Sequence, residues 1–174
     1  MSRRVRLALT VAVGCAVIAA LAIFGFKSSG STSKGKPAHE LPAERLSGAA
    51  ATIPSLLRTA RGRPALVVFW ASWCGPCTEE APALERFSRS AQGQGRIAGV
   101  DWSDARSNAT AFIHRYGWTF PNVRDANGTV GNEYEIGNLP TTFVLDGRGH
   151  IRRTLHGPQT EATLSQALAA VEAS

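Results

Sequence analysis

Two cysteines separated by two residues, in the stretch WASWCGPCTE, are the side chains of this sequence best suited to chemistry. A pair spaced as Cys74 and Cys77 can contribute to a zinc site, attach a haem, close an inert disulfide or exchange thiols with disulfides. Haem attachment needs a histidine directly after the second cysteine, and residue 78 is Thr. A closed zinc site needs four ligands. There is no second CxxC, and the most closely spaced histidines, His150 and His156, fall in a segment predicted to be a strand. A lone peroxide-reducing cysteine would stand beside a Thr and an Arg, and the paired cysteines after Trp73 do not fit it. What remains is a structural staple or a redox dithiol.

The setting favours the dithiol. The run PALVVFWA, residues 64–71, is apolar, β-branched and too short for a buried helix, so it reads as a central strand covered on both faces. A helix is expected from Gly75 to Ala91, with Pro82 inside it as a kink. Cys74 then sits at a helix N-terminus, where unpaired N–H groups and the helix dipole stabilise a thiolate. Pro76, which lacks an N–H, suits the first turn. Cys77, one turn further on, can attack a mixed disulfide formed on Cys74 and release its partner.

The other elements frame this unit. Residues ERLSGAAATIP read as a short hairpin around Ser47 and Gly48, then a helical turn at 54–60. RIAGVDW, residues 96–102, is a second strand. A helix capped by Ser103 or Asp104 should run to Tyr116, with Ala109, Phe112, Ile113 and Tyr116 as its apolar stripe. A short helix is expected within residues 127–136. Residues 141–156 make two strands around DGRG. Thr160 caps a last helix to Glu172 that buries Leu164, Ala167, Leu168 and Val171. The order predicts an α/β fold with a central mixed sheet and helices on both faces. Trp70 and Trp73 are expected to flank the cysteines, with Trp102 and Trp118 as packing or as the rim of a groove.

Charge and hydropathy divide the chain. The formal net charge is +6 over 174 residues. Arg3, Arg4, Arg6, Lys27, Lys34 and Lys36 account for all of it, because from Pro37 onward 13 Arg balance 13 Asp and Glu. The body therefore has no basic excess to neutralise phosphates, which argues against nucleic-acid binding. Residues 1–6 read as a basic cytoplasmic N-terminus, and 7–26, uncharged with Thr10 as the sole polar side chain, as a transmembrane helix. Residues 27–38 read as a flexible linker and 39–174 as the folded domain. The positive-inside rule places that domain outside the cytoplasm. A cleaved signal peptide ending near AALA, residues 19–22, or a lipoprotein modified at Cys15 are the rival readings, and each leads to the same side of the membrane.

VVFWASWCGPC and GNLPTTFVLDGRGHI together resemble the thioredoxin fold. The wider pattern adds Glu80, Pro82, the segment from VDWSD to TTFVLD and the N-terminal apolar run. It is similar to the membrane-anchored, extracytoplasmic TlpA/ResA/CcmG (DsbE) thioredoxin-like group over roughly residues 40–173. The resemblance implies a redox-active Cys74–Cys77 disulfide with no further cofactor and no metal. It implies that Cys74 is the nucleophile and Cys77 the resolving thiol. It also implies that Pro140 is a cis-proline beside the disulfide, so that Leu139 can pair with an extended substrate, with Trp73, Gly75 and Pro76 completing the substrate surface. Soluble thioredoxins carry a buried Asp six residues before the first cysteine, where this chain has Val68; the group instead places a glutamate three residues after the second, matched by Glu80. A carboxyl there could move the Cys77 proton, against the plain alternative of a solvated helix glutamate. The cytochrome-maturation branch often has an acid after the cis-proline, where this chain has Thr141.

The function implied is an anchored thiol–disulfide oxidoreductase. It would reduce disulfides in exported proteins, apocytochrome c among them, and be re-reduced by a membrane electron donor of the CcdA/DsbD type. A dithiol oxidase that assists disulfide formation and a non-catalytic peptide-binding module are the alternatives.

Overall fold

In the computed structural model, residues 35–49 and 51–174 are described. The basic N-terminus, the apolar run 7–26 and most of the expected linker lie outside these residues. Among the described residues no helix is long and apolar enough to cross a membrane.

The apolar run after Pro64 forms strand β3 (Ala65–Trp70), buried at every position. It lies at the middle of a seven-stranded sheet. β4 (Ile97–Trp102) pairs with β3 in parallel, and β5 (Asn122–Asp125) pairs with β4 in parallel. β6 (Thr141–Leu145) runs antiparallel to β3, and β7 (His150–His156) runs antiparallel to β6. Short strands β1 (Lys36–Pro37) and β2 (Glu44–Ser47) close the two edges. Alternation along β3 sends Leu66, Val68 and Trp70 to one core and Ala65, Val67 and Phe69 to the other.

The first core is covered by α2 (Gly75–Arg89), α3 (Arg106–Tyr116) and α5 (Glu161–Glu172). The second is covered by α1 (Ile53–Thr59) and by Tyr134, which follows the short α4 (Thr129–Glu133). Thr52 caps α1 and Thr160 caps α5, each in a capping box with the residue three on, Ser55 and Thr163. α2 continues through Pro82 to Arg89. The expected fold class, a mixed sheet with helices on both faces, is the one observed.

Three expectations are corrected, and one strand lies outside them. Residues 44–47 do not fold into a hairpin about Ser47 and Gly48; they pair antiparallel with β5, forming an edge strand. β5 itself escapes a periodicity reading, because Val123 is its lone apolar residue. Lys36 and Pro37, assigned to the linker, pair with Ile151 and His150, and Ala38 N–H donates to Gly149 O at 2.9 Å. Main-chain pairing needs no apolar side chain, so composition does not reveal it. Finally, α3 begins after Ala105 with no side-chain cap. Asp104 is turned inward, toward the segment that precedes the cysteines.

Candidate active site

β3 ends at Trp70 and delivers Ala71–Trp73 to the head of α2. Cys74 is the N-cap of that helix, and its Sγ accepts the Cys77 N–H at 3.1 Å. The two cysteines form a disulfide with Cα atoms 5.2 Å apart. Both are buried, while Gly75 and Pro76 between them are exposed. On reduction, the Cys77 N–H of the first turn already faces the sulfur that must carry negative charge.

Glu80 lies one turn beyond Cys77 on the buried stripe of α2, which also holds Ala81, Leu84 and Phe87. Only 1% of it is exposed, whereas the neighbouring Glu79 is exposed, so the solvated reading fails for Glu80. Its Oε1 accepts the main-chain N–H of Gln159 at 3.0 Å, and Oε2 has no donor. Burial pushes the carboxyl up to about 7, with the Gln159 N–H opposing the rise. A carboxyl that is half protonated near neutrality can both give and take a proton.

The Leu139–Pro140 peptide is cis. Thr141 lies opposite Phe69 in the β3–β6 ladder, so Pro140 stands at the end of the sheet from which the cysteine segment departs. The loop before α5 ties these parts together. Gly157 N–H donates to Pro140 O at 2.9 Å, and two residues later Gln159 N–H reaches Glu80. Thr141 Oγ1 donates to Asn138 O at 2.8 Å and fixes the turn before the proline. Among the described residues the Leu139 main chain forms no hydrogen bond. Beyond the proline, a cavity of about 300 Å³ is lined by Tyr134, Ile136, Thr141, Phe143 and His156.

The four tryptophans part company. Trp73 is 59% exposed, and its indole donates to Ser103 O at 3.2 Å. Trp70, expected to flank the cysteines, shares the core cluster that holds both; it is fully buried and donates to Asn122 Oδ1 at 3.0 Å, because strand alternation turns it inward. Trp118 packs edge-on to Trp70 and donates to Ala81 O. Trp102 is half-buried and within ring contact of Trp73. Val68, where soluble thioredoxins have their acid, is a fully buried apolar core residue. Among the described residues no group of three or more His, Cys, Asp or Glu could hold a metal ion.

The sequence reading missed Gln159, which acts through its main chain and leaves no side-chain signal. It also missed the second buried acid of this region, Asp101, although a lone acid in the apolar strand RIAGVDW was a visible sign.

A CxxC disulfide at the head of a helix, entered from a central strand and placed at the same sheet end as a cis-proline, defines the thioredoxin-like dithiol proteins. Within that class the chain belongs to the AhpC/TSA family, whose model matches residues 35–154. It is 34% identical over 113 residues to the thiol-disulfide oxidoreductase ResA of Geobacillus thermodenitrificans, covering 64% of this chain and 65% of that one. It is 31% identical over 138 residues to the thioredoxin-like protein YneN of Bacillus subtilis, covering 78% of each. The match thus spans just under two thirds of ResA and more of YneN. Among solved structures, a secreted Mycobacterium tuberculosis disulfide oxidoreductase homologous to Escherichia coli DsbE superposes with a TM-score of 0.62 at 25% identity, covering 76% of this chain and 96% of that one.

Proposed function

We propose that the protein is a membrane-anchored, extracytoplasmic thiol–disulfide oxidoreductase that works chiefly as a reductase of disulfides in exported proteins. The observation that carries this reading is the pairing of Cys74, poised at a helix N-cap, with a buried Glu80 one turn beyond Cys77. The names of its relatives point the same way. The apolar run 7–26 after three arginines supports the anchor and the outward-facing domain, and the secreted M. tuberculosis neighbour is consistent with that side of the membrane.

In the reductive direction the Cys74 thiolate attacks one sulfur of a substrate disulfide. A mixed disulfide forms and the first substrate thiolate leaves. The Glu80 carboxylate takes the Cys77 proton, the Cys77 thiolate attacks Cys74 Sγ, and the second substrate thiolate leaves and is protonated. The substrate gains two electrons, and the Cys74–Cys77 disulfide is restored. The free main chain of Leu139 supports docking of an extended substrate by strand addition, with Trp73, Gly75 and Pro76 as the exposed surface around the attacking Cys74 sulfur. No further cofactor is needed, but a membrane donor of the CcdA/DsbD type must return two electrons and two protons for each cycle. Apocytochrome c is one candidate substrate; Thr141 after the cis-proline sets this chain apart from the cytochrome-maturation branch it resembles.

Trapping with Cys77→Ser tests the reading. The variant should accumulate mixed disulfides on Cys74 with exported proteins and with the donor, and the wild-type pair should be largely reduced in growing cells. A fully oxidised pair in vivo would transfer the assignment to a dithiol oxidase. An unchanged phenotype for Cys74→Ser would leave a binding module.

A further inference from the structure

The acid that the exchange reaction leaves unused is Asp101. Along β4, Ile97, Gly99 and Asp101 share one face, and Ile97 belongs to the core that contains both cysteines. Asp101 is completely buried, and neither carboxyl oxygen has a hydrogen-bond donor. The Arg124 guanidinium comes no closer than 4.0 Å, through Nε. That guanidinium is committed elsewhere: Nε and Nη2 donate to the Asp104 main-chain carbonyl at 3.0 and 2.6 Å, and Nη1 reaches Glu44 at 3.1 Å.

The side-chain partner of Asp101 is Asp104, within hydrogen-bonding reach of it, and Asp104 has the donors that Asp101 lacks. Its Oδ2 accepts the Ser72 N–H at 2.7 Å and its Oδ1 accepts the Ala105 N–H at 2.7 Å. Ser72 is two residues before Cys74, and Trp73 between them donates its indole N–H to Ser103 O in the same loop. The segment that presents the nucleophile is therefore tied twice to the β4–α3 connection. The remaining charged groups around the pair are Arg124 from β5, Glu44 from β2, and Arg106 from α3, itself bonded to Glu44.

Two hydrogen-bonded carboxyls removed from water do not both ionise. Asp104 is held as an acceptor by two N–H donors, and Asp101, which has none, keeps the proton. A buried carboxyl oxygen that no protein donor reaches gains a protein partner by donating, and the neighbouring acceptor is Asp104. Burial, reinforced by Asp104, pushes Asp101 up to about 8, with Arg124 opposing the rise.

We propose that Asp101 holds a proton that it donates to Asp104, and that this one-proton carboxyl pair positions the Ser72–Trp73 main chain that presents Cys74. Asp101 is a positioning residue, acting through Asp104, and the inference rests on the thiol–disulfide reading only for the use made of Cys74. The device works while the pair carries a single negative charge. Once Asp101 ionises, repulsion replaces the hydrogen bond and the hold on Ser72 weakens.

The test needs no substrate. In the full-length reduced protein carrying Glu80→Gln, which silences the other buried acid, iodoacetamide alkylation of Cys74 is followed by peptide mass spectrometry from pH 5 to 10. Asp101→Asn can still donate to Asp104; it should match the Asp101 parent below pH 7 and depart from it above pH 8. Asp101→Leu cannot donate, and should change the rate at pH 7 by about threefold or more, equivalent to half a pKa unit at Cys74. A folded Leu variant with the parental profile would overturn the proposal. Should the Leu variant not fold, the carboxyl ¹³C titration of Asp101 in the wild-type protein decides. A carboxyl still protonated at pH 6.5 supports the proposal, and one already ionised there overturns it. Failure of either readout leaves the disulfide-exchange function standing.

Discussion

Glu80 and Asp101 are two buried acids in the core that holds the cysteines, and they are held in opposite ways. Glu80 sits on the helix that carries the dithiol, with one N–H on Oε1 and nothing on Oε2. Asp101 sits on a strand, with no donor of its own and a second carboxyl, Asp104, against it. Removing water raises both, but a neighbouring negative charge adds to the rise only at Asp101. The first arrangement leaves an acid free to exchange its proton with a thiol one turn away. The second uses its proton to hold main chain in place. Burial alone therefore does not mark a proton-transfer group; what decides is whether the carboxyl's neighbour is a reacting atom or a fixed acceptor.

The comparison breaks most visibly in stability. In the unfolded chain Glu80 ionises near its ordinary 4.5, and in the folded chain near 7. The folded state keeps a proton that the unfolded chain has released. The stability this gives is complete below pH 4.5 and is lost as pH rises through 7. Glu80→Gln, which keeps an acceptor for Gln159, should remove that slope and exceed the wild type by about 3 kcal/mol at pH 8. Asp104→Ala should act in the other direction, costing on the order of 3 kcal/mol by stripping Ser72 and Ala105 of their acceptor. Chemical denaturation of the oxidised proteins across pH 5–8 measures both. Equal signs for the two variants would erase the distinction.

The second difference is kinetic. Glu80→Gln should slow resolution of the mixed disulfide by about 100-fold at pH 7, the lower range for loss of a general base. It should also abolish the inflection near pH 7 in that step. Attack by Cys74 should be nearly unaffected, so single-turnover kinetics with a trapped mixed disulfide separates the two. A uniform slowing of both steps would place Glu80 with Asp101 as a positioning group.

How far the sequence revealed this site depends on the kind of link involved. WCGPC after an apolar strand locates the nucleophile, because both neighbours are local in sequence. The buried side of Glu80 over Glu79 is written in the stripe Cys77, Glu80, Ala81, Leu84, Phe87, and the structure decides it. Asp104 reads as a helix cap because Asp before a helix usually is one; its actual use depends on Ser72, 32 residues earlier, and no local pattern encodes that approach. Gln159 contributes a main-chain N–H that any residue other than proline would supply. The edge strands β1 and β2 fail for the same reason, since their pairing is main chain to main chain across the fold.

The smallest effect on the fold, and the sharpest separation of packing from contact with substrate, is expected at Trp73. It is the large apolar side chain left exposed among the described residues, held by one indole hydrogen bond to Ser103 and a ring contact of 6.4 Å with Trp102. Trp73→Ala removes little buried surface, so stability should change by no more than about 0.5 kcal/mol. Its place beside Cys74 predicts a different loss. Reduction of a small aromatic disulfide should keep its rate, since that substrate needs only the sulfur. Reduction of a disulfide-bonded polypeptide should show KM raised several-fold with kcat retained, because a docking contact common to ground and transition states has gone. A fall in kcat on both substrates would instead mean that the indole's bond to Ser103 helps hold Cys74 in place, and would move Trp73 from the substrate surface to the Asp101–Asp104 side of the comparison.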